Sequence, residues 1–305
     1  MQNLLDIAKI NASDDMIAMI EENLNVAPEV ALLPAFTIKG TSYTTLSRVS
    51  FPEGAFRNAN AGVVPGKDEF ANKLVECFIY ENPMEEDMAV AKADRHGMAG
   101  YLARIESGRV KGAIQHLGRQ LWYGVTSPGD SKGYPSLLDS YDSTNMTVDA
   151  TGSTGGTGSS VWFLKLGEEN ISFVFGQDST LTIGEWQQQM LVTATTARHM
   201  GVVNTLMAWC GVQFVNPKAA VRIMDLTEDS GKGLTEALGY AALEKFPVGM
   251  TPDYAFMTKR SRRQLQVSRA GTVAAAGKYT APIPTDICGI PIVVTDMLTN
   301  TETLT

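Results

Sequence analysis

The chain has 305 residues and a mass of 32.9 kDa, enough for two average domains or one elaborated domain with long extensions. Apolar residues make up 44% and charged residues 19%, which excludes a disordered polyelectrolyte. Against 33 Asp+Glu there are 25 Lys+Arg, and the formal charge of −8 is opposite in sign to that of a general nucleic-acid binder.

The first expected element is a short helical arm over residues 1–35. Asn11–Asp15 offers an N-cap and an acidic first turn, and Met16, Ile17, Ile20 and Leu24 share one edge at helical spacing. Pro28 and Pro34 are expected to end it. A stripe this narrow makes no core alone and needs another surface to lie on. From Phe36 to Asn82 the pattern changes to a polar, β-branched strand at Thr37–Val49, an irregular tip punctuated by Pro52 and Pro65-Gly66, and a returning strand at Lys73–Tyr80. An isolated two-stranded ribbon is marginal in water, so this excursion must be held by another domain or another subunit.

Asn82–Asp87, with Pro83 and three acids, reads as a helix start. A long helix is predicted from Met98 to Trp122 on the stripe Leu102, Ile105, Ala113, Ile114, Leu117 and Leu121, closed by Gly124. Loops follow at Ser127–Gly133 and Asp149–Ser160. Strands are predicted at Val161–Leu166, Ile171–Phe175, Gln213–Val215, Ala219–Met224 and Ile290–Thr295, with helices at Leu234–Phe246 and Thr258–Ser268. The elements mix without a βαβα period, so the fold class is α+β. The aromatics Trp162, Phe163, Phe173 and Phe175 are expected to pack a core.

Cys77, Cys210 and Cys288 stand far apart, which indicates neither a zinc site nor a disulfide framework and suits a reducing compartment. The opening residues lack the pattern of a signal peptide, and no run of 18 apolar residues spans a membrane. Gly129-Asp130-Ser131-Lys132-Gly133 matches the letters of a nucleophile elbow, yet Ser127-Pro128 and Tyr134-Pro135 replace the required strand and helix. A hydrolase using Ser131 is therefore the least favoured reading. Gly152–Gly158 and Gly231-Lys232-Gly233 fail as phosphate cradles, and His96, His116 and His199 have no ligand spacing. Neither a cofactor nor a catalytic constellation is expected. Lys259–Arg263 is the one basic cluster, either a solvated helix face or a contact for an acidic neighbour.

Taken in order, the arm, the long β excursion, the long helix and the mixed remainder resemble the major capsid protein of tailed bacteriophages. Gly289–Asp296 is similar to the strand such proteins carry near their C-terminus. Trp122-Tyr123-Gly124, Trp162-Phe163, Asn216–Ile223 and Phe256–Leu265 follow one another as in one capsid-protein subfamily. The resemblance implies an N-terminal arm at 1–35, an extended β-hairpin loop at 36–82, a peripheral domain with its spine helix at 83–126, and an axial domain with returning peripheral strands at 127–305. It also implies hexamers and pentamers in an icosahedral shell around a double-stranded DNA genome, bound without sequence specificity, with a portal and with decoration proteins as partners. No long charged coiled-coil-like stretch precedes the arm, which implies a separate scaffolding protein or none. Such a protein is assembled in the bacterial cytoplasm and resides in the virion. Expected inter-subunit contacts are Ile17 and Ile20 in the arm, Tyr43, Arg48, Phe51, Phe56, Arg57 and Lys67 in the loop, and Arg262 and Arg263 in the basic cluster. An encapsulin-type compartment is the alternative.

Overall fold

The computed structural model describes residues 25–141, 145–192, 197–274 and 281–304. Within the arm expected over 1–35, the N-cap at Asn11–Asp15 and the apolar edge of Met16, Ile17, Ile20 and Leu24 lie outside them.

Helix α1, Pro28–Leu32, opens with the proline that was expected to end a helix. Proline has no N–H to lose in a first turn, and its fixed φ suits that position. Strand β1, Ala35–Thr37, leads into the ribbon of β2, Ser42–Ser50, and β3, Glu69–Glu76, which pair antiparallel from Ser42↔Glu76 to Ser50↔Glu69. After Cys77 the chain runs straight into β4, Phe78–Asp87. The helix start expected at Asn82–Asp87 is thus a strand. Its side chains alternate, with Met84 and Glu86 buried and Glu81, Pro83 and Glu85 exposed, and Pro83 is tolerated because β4 is an edge strand. Asp87 instead caps α2, Met88–Lys92, by accepting the Ala89 N–H at 2.7 Å.

Helix α3, Gly97–Tyr123, is the long helix foreseen, about 40 Å at 1.5 Å per residue. It ends at Gly124 with φ 52°, where a Cβ would lie 2.4 Å from the Ser136 backbone nitrogen. A short helix α4, Leu137–Ser140, follows with a Ser136/Asp139 capping box. The strands after it are β5 (Thr147–Asp149), β6 (Ser159–Leu164), β7 (Ile171–Phe175), β8 (Thr182–Ile183), β9 (Gln187–Val192), β10 (Arg198–Phe214) and β11 (Ala220–Leu226). Helix α5 (Glu236–Glu244), β12 (Tyr254–Met257), α6 (Lys259–Ala274), β13 (Asp286–Ile287) and β14 (Ile290–Val294) complete the fold.

Two mixed sheets share the molecule. In the first, β10 is the long central member. β4 lies along one edge of it, and β9, β8 and β7 succeed one another along the other, with β1 beyond β7. The second has the order β13-β14-β12-β6-β11-β5. All six residues of β6 are buried, since both faces of this sheet are covered. Trp162 and Leu164 pack with Leu117, Leu121 and Trp122 of α3 and with Phe173 and Cys210 of the first sheet. Val161 and Phe163 turn the other way, against Leu234, Ala242, Phe246 and Leu265 under α5 and α6. The C-terminal half of α3 is therefore the joint between the sheets. Cys77 and Cys210 are buried thiols and Cys288 is half-buried; all three are free.

The C-terminal segment locks this joint. Glu302 accepts the Tyr123 hydroxyl at 2.7 Å, the Ser160 hydroxyl at 2.7 and 2.9 Å, and Arg222 Nη2 at 3.0 Å, while Arg222 stacks on Trp162.

Candidate assembly surfaces

The β2–β3 ribbon is anchored at its base. Val75, Cys77 and Val174 pack there with Phe36, Ile38, Tyr43 and Trp209. The Tyr43 hydroxyl donates to Gln213 Oε1, and burial pushes its pKa up to about 12. Lys73 Nζ donates to the Val215 carbonyl at 2.5 Å, and partial burial pulls that amine down. Tyr43 thus faces the body of its own chain, where the sequence reading placed it among contacts to a neighbour.

The pairing register sorts the ribbon into two faces. Tyr43, Thr45 and Ser47 share one with Val75, Lys73 and Ala71, turned toward the body. Thr44, Leu46 and Arg48 share the other with Leu74, Asn72 and Phe70, and Leu46, Leu74 and Phe70 are each more than half exposed. Arg48 holds this face open to solvent with its guanidinium 5.2 Å from the Phe51 ring centroid and 5.3 Å from that of Phe70, and it pairs with Asp68 at 3.5 Å. Beyond the strands, Phe51 and Phe56 stand in solvent, Arg57 donates to the Ala61 carbonyl at 2.9 Å, and Lys67 is exposed. Exposed apolar groups on this scale on one ribbon make its outer face the candidate contact surface. Leu46, Phe70 and Leu74 were not singled out from sequence, because their common face emerges only from the register.

Ile17 and Ile20 lie outside the described residues. The basic cluster is largely engaged within the chain. Lys259 pairs with Asp296 at 2.9 Å, Arg263 with Glu228 at 2.8 Å, and Arg260 donates to the carbonyls of Thr157, Leu226 and Asn300. Arg262, half-exposed on α6, makes no ion pair among the described residues.

Ser131 is an exposed turn residue in a loop pinned by Gln120, whose Oε1 accepts the Asp130 N–H at 2.7 Å and whose Nε2 donates to the carbonyls of Asp130 and Tyr134. His116 stacks on Tyr80 at 5.5 Å, and burial, with Arg119 nearby, pulls its pKa down. Both side chains serve local structure.

The family described as Major capsid protein GP7 matches residues 13–305. The chain belongs to that family. It is a structural protein whose copies build a capsid shell, and it resides in the virion. This capsid protein is similar in fold to the bacteriophage epsilon15 structure, with a TM-score of 0.77 and 18% identity over 99% of this chain and 97% of that one. It is also similar to the capsid of the Myoviridae phage XM1, with a TM-score of 0.51 and 8% identity over 68% of this chain and 95% of that one. Curated proteins yield no match.

Proposed function

We propose that this capsid protein forms hexamers and pentamers of an icosahedral shell around the double-stranded DNA of a tailed bacteriophage, assembled in the host cytoplasm. The observation that carries the reading is the outer face of the β2–β3 ribbon, where Leu46, Phe70, Leu74 and Phe51 are exposed on an element with no core of its own. Fully burying one such side chain contributes about 1.5–3 kcal/mol, and every subunit of a shell repeats the contact. Arg48, Arg57 and Lys67 on the ribbon, and Arg262 on α6, supply charge that sets register against an acidic neighbour. Residues Ile17 and Ile20 give the arm its apolar edge. A portal and decoration proteins are the further partners of this role, with a separate scaffolding protein or none. The acidic balance fits a container, because a strongly basic lining would hold the packaged polyanion and impede its entry.

Limited proteolysis tests the ribbon. Dissociated subunits should be cut within 51–68 while assembled particles resist. Equal cleavage in both states would overturn the contact. Electron microscopy with a nucleic-acid absorbance ratio tests the contents, and particles that hold protein cargo without DNA would overturn the phage reading in favour of a cellular compartment.

A further inference from the structure

Segment 25–34 is held at its start by bonds to α3 and to the C-terminal segment, and Ala27, Glu29 and Leu33 are buried along it. Val26 N donates to Asp296 Oδ2 at 3.0 Å, Asp296 N returns to the Val26 carbonyl at 3.1 Å, and Gln115 Nε2 reaches the Asn25 carbonyl at 2.9 Å. Ala27 and Leu33 enter the main core. Between them Glu29 is wholly buried, and among the described residues no cation lies within ion-pairing distance of it. Its Oε1 accepts the Trp122 indole N–H at 3.2 Å, whereas Oε2 is buried without a hydrogen-bond partner. Few environments suit a carboxylate less.

Three elements close around this carboxyl. From α3 come Trp122 and Gly118, neither of which titrates. The 125–136 segment contributes Tyr134, whose hydroxyl donates to the Leu117 carbonyl at 3.0 Å, and the C-terminal segment contributes the Thr295 hydroxyl and Asp296. Lys259 neutralises Asp296 at 2.9 Å from α6, so it serves that acid and not Glu29. The facing titratable groups are therefore a phenol, which stays uncharged, and a second carboxylate, which favours a neutral Glu29. Burial accordingly pushes the Glu29 carboxyl above the usual glutamate range, against smaller opposing pulls from its own backbone N–H, Thr295 and Trp122.

We propose that Glu29 is a proton-operated latch on segment 25–34: with its proton in place the segment seats on α3, and release of that proton to water leaves an uncompensated buried carboxylate that loosens the seat. An acid that binds its proton more tightly when docked stabilises the docked state fully below its ordinary pKa and loses that stabilisation as pH rises toward the raised value. Rising pH should loosen this segment while the two sheets stay folded. The latch acts where residues 1–24 join the body, so it would adjust how the arm is presented to neighbouring subunits.

Amide exchange on the full-length subunit, corrected for the intrinsic rate, tests the latch from mildly acidic to alkaline pH. Wild-type protection of 25–34 should fall about tenfold per pH unit between the two pKa values, the slope set by one proton. Glu29→Gln keeps an acceptor for Trp122 without the charge and should show flat, high protection. The infrared carbonyl band of a protonated carboxyl should be present in the wild type at mildly acidic pH and disappear together with the protection as pH rises. A flat wild-type profile, a matching decline in E29Q, or no protonated-carboxyl band at mildly acidic pH would each overturn the proposal. Should E29Q fail to fold, the wild-type band and its loss with rising pH decide the matter alone.

Discussion

Removing the Glu302 carboxylate should be among the most damaging single changes available to this subunit. Glu302→Ala leaves the Arg222 guanidinium, whose side chain is 10% exposed, without its ion-pair partner under the Trp162 ring. It also strips acceptors from the Ser160 and Tyr123 hydroxyls, both buried in the joint between the sheets. Breaking one side of a buried ion pair costs about 3–5 kcal/mol, because the remaining charge cannot be resolvated. Burial alone would lower the Arg222 pKa, yet Glu302 and Tyr141 more than offset it, which identifies the acid as the compensating group. Equilibrium urea denaturation of the dissociated subunit, followed by near-ultraviolet circular dichroism, reads the loss directly. Arg222→Met with Glu302→Leu removes both charges and should recover most of it, whereas Glu302→Gln should fall between. A loss for E302A below about 1 kcal/mol, the worth of an exposed pair, would refute the closed joint.

Gly118→Ala should destabilise by about 1–3 kcal/mol despite better helix propensity, because its Cβ would lie 2.6 Å from Glu29 Oε1 and 2.9 Å from both Ala27 Cβ and Met297 Cγ. Gly112→Ala on the same helix meets nothing within 4 Å and should raise thermal stability by about 0.5–1 kcal/mol; scanning calorimetry compares the two. Arg263→Glu should cost no more than about 1 kcal/mol of subunit stability, since its pair with Glu228 is exposed. Arg262→Glu should leave subunit stability unchanged and lower particle yield in sedimentation, and an unchanged yield would make Arg262 a solvated side chain. Replacing Ile17 and Ile20 with Asp should give soluble subunits that assemble poorly, checked by particle counts in negative-stain images.

The long helix was legible because its apolar residues recur at one period, and β7 and β14 because they are short apolar runs with Gly176 after the one and Gly289 before the other. At Asn82–Asp87, Pro83 and three acids imitate a helix start, and only the neighbouring β10 reveals that Met84 and Glu86 point inward while the other acids face solvent. Most of β10 escaped the reading for a related reason. Its seventeen residues meet α3, the ribbon base and three successive partner strands, so no single alternation survives from Arg198 to Phe214. In the contact surface, Phe51 and Phe56 were visible as aromatics in a loop of turn residues. Leu46, Phe70 and Leu74 were not, since they lie far apart in sequence and become one face through pairing. Glu29 was not singled out, because Pro28 was read as ending a helix and nothing local announces that Trp122 and Asp296 close over the acid.

The uninterrupted passage from the ribbon into β4 has a mechanical consequence. Cys77 alone separates β3 from β4, and β4 is held against β10 through ten consecutive register pairs, from Phe78↔Cys210 to Asp87↔Gly201. A tug on the ribbon by a neighbouring copy therefore travels down the backbone parallel to β4 and loads those pairs side by side in shear. Hydrogen bonds arranged this way must yield together, whereas a strand peeled from its end yields one at a time. The molecule is built to take tension along the ribbon and to give way to a force that lifts β4 sideways from its free edge.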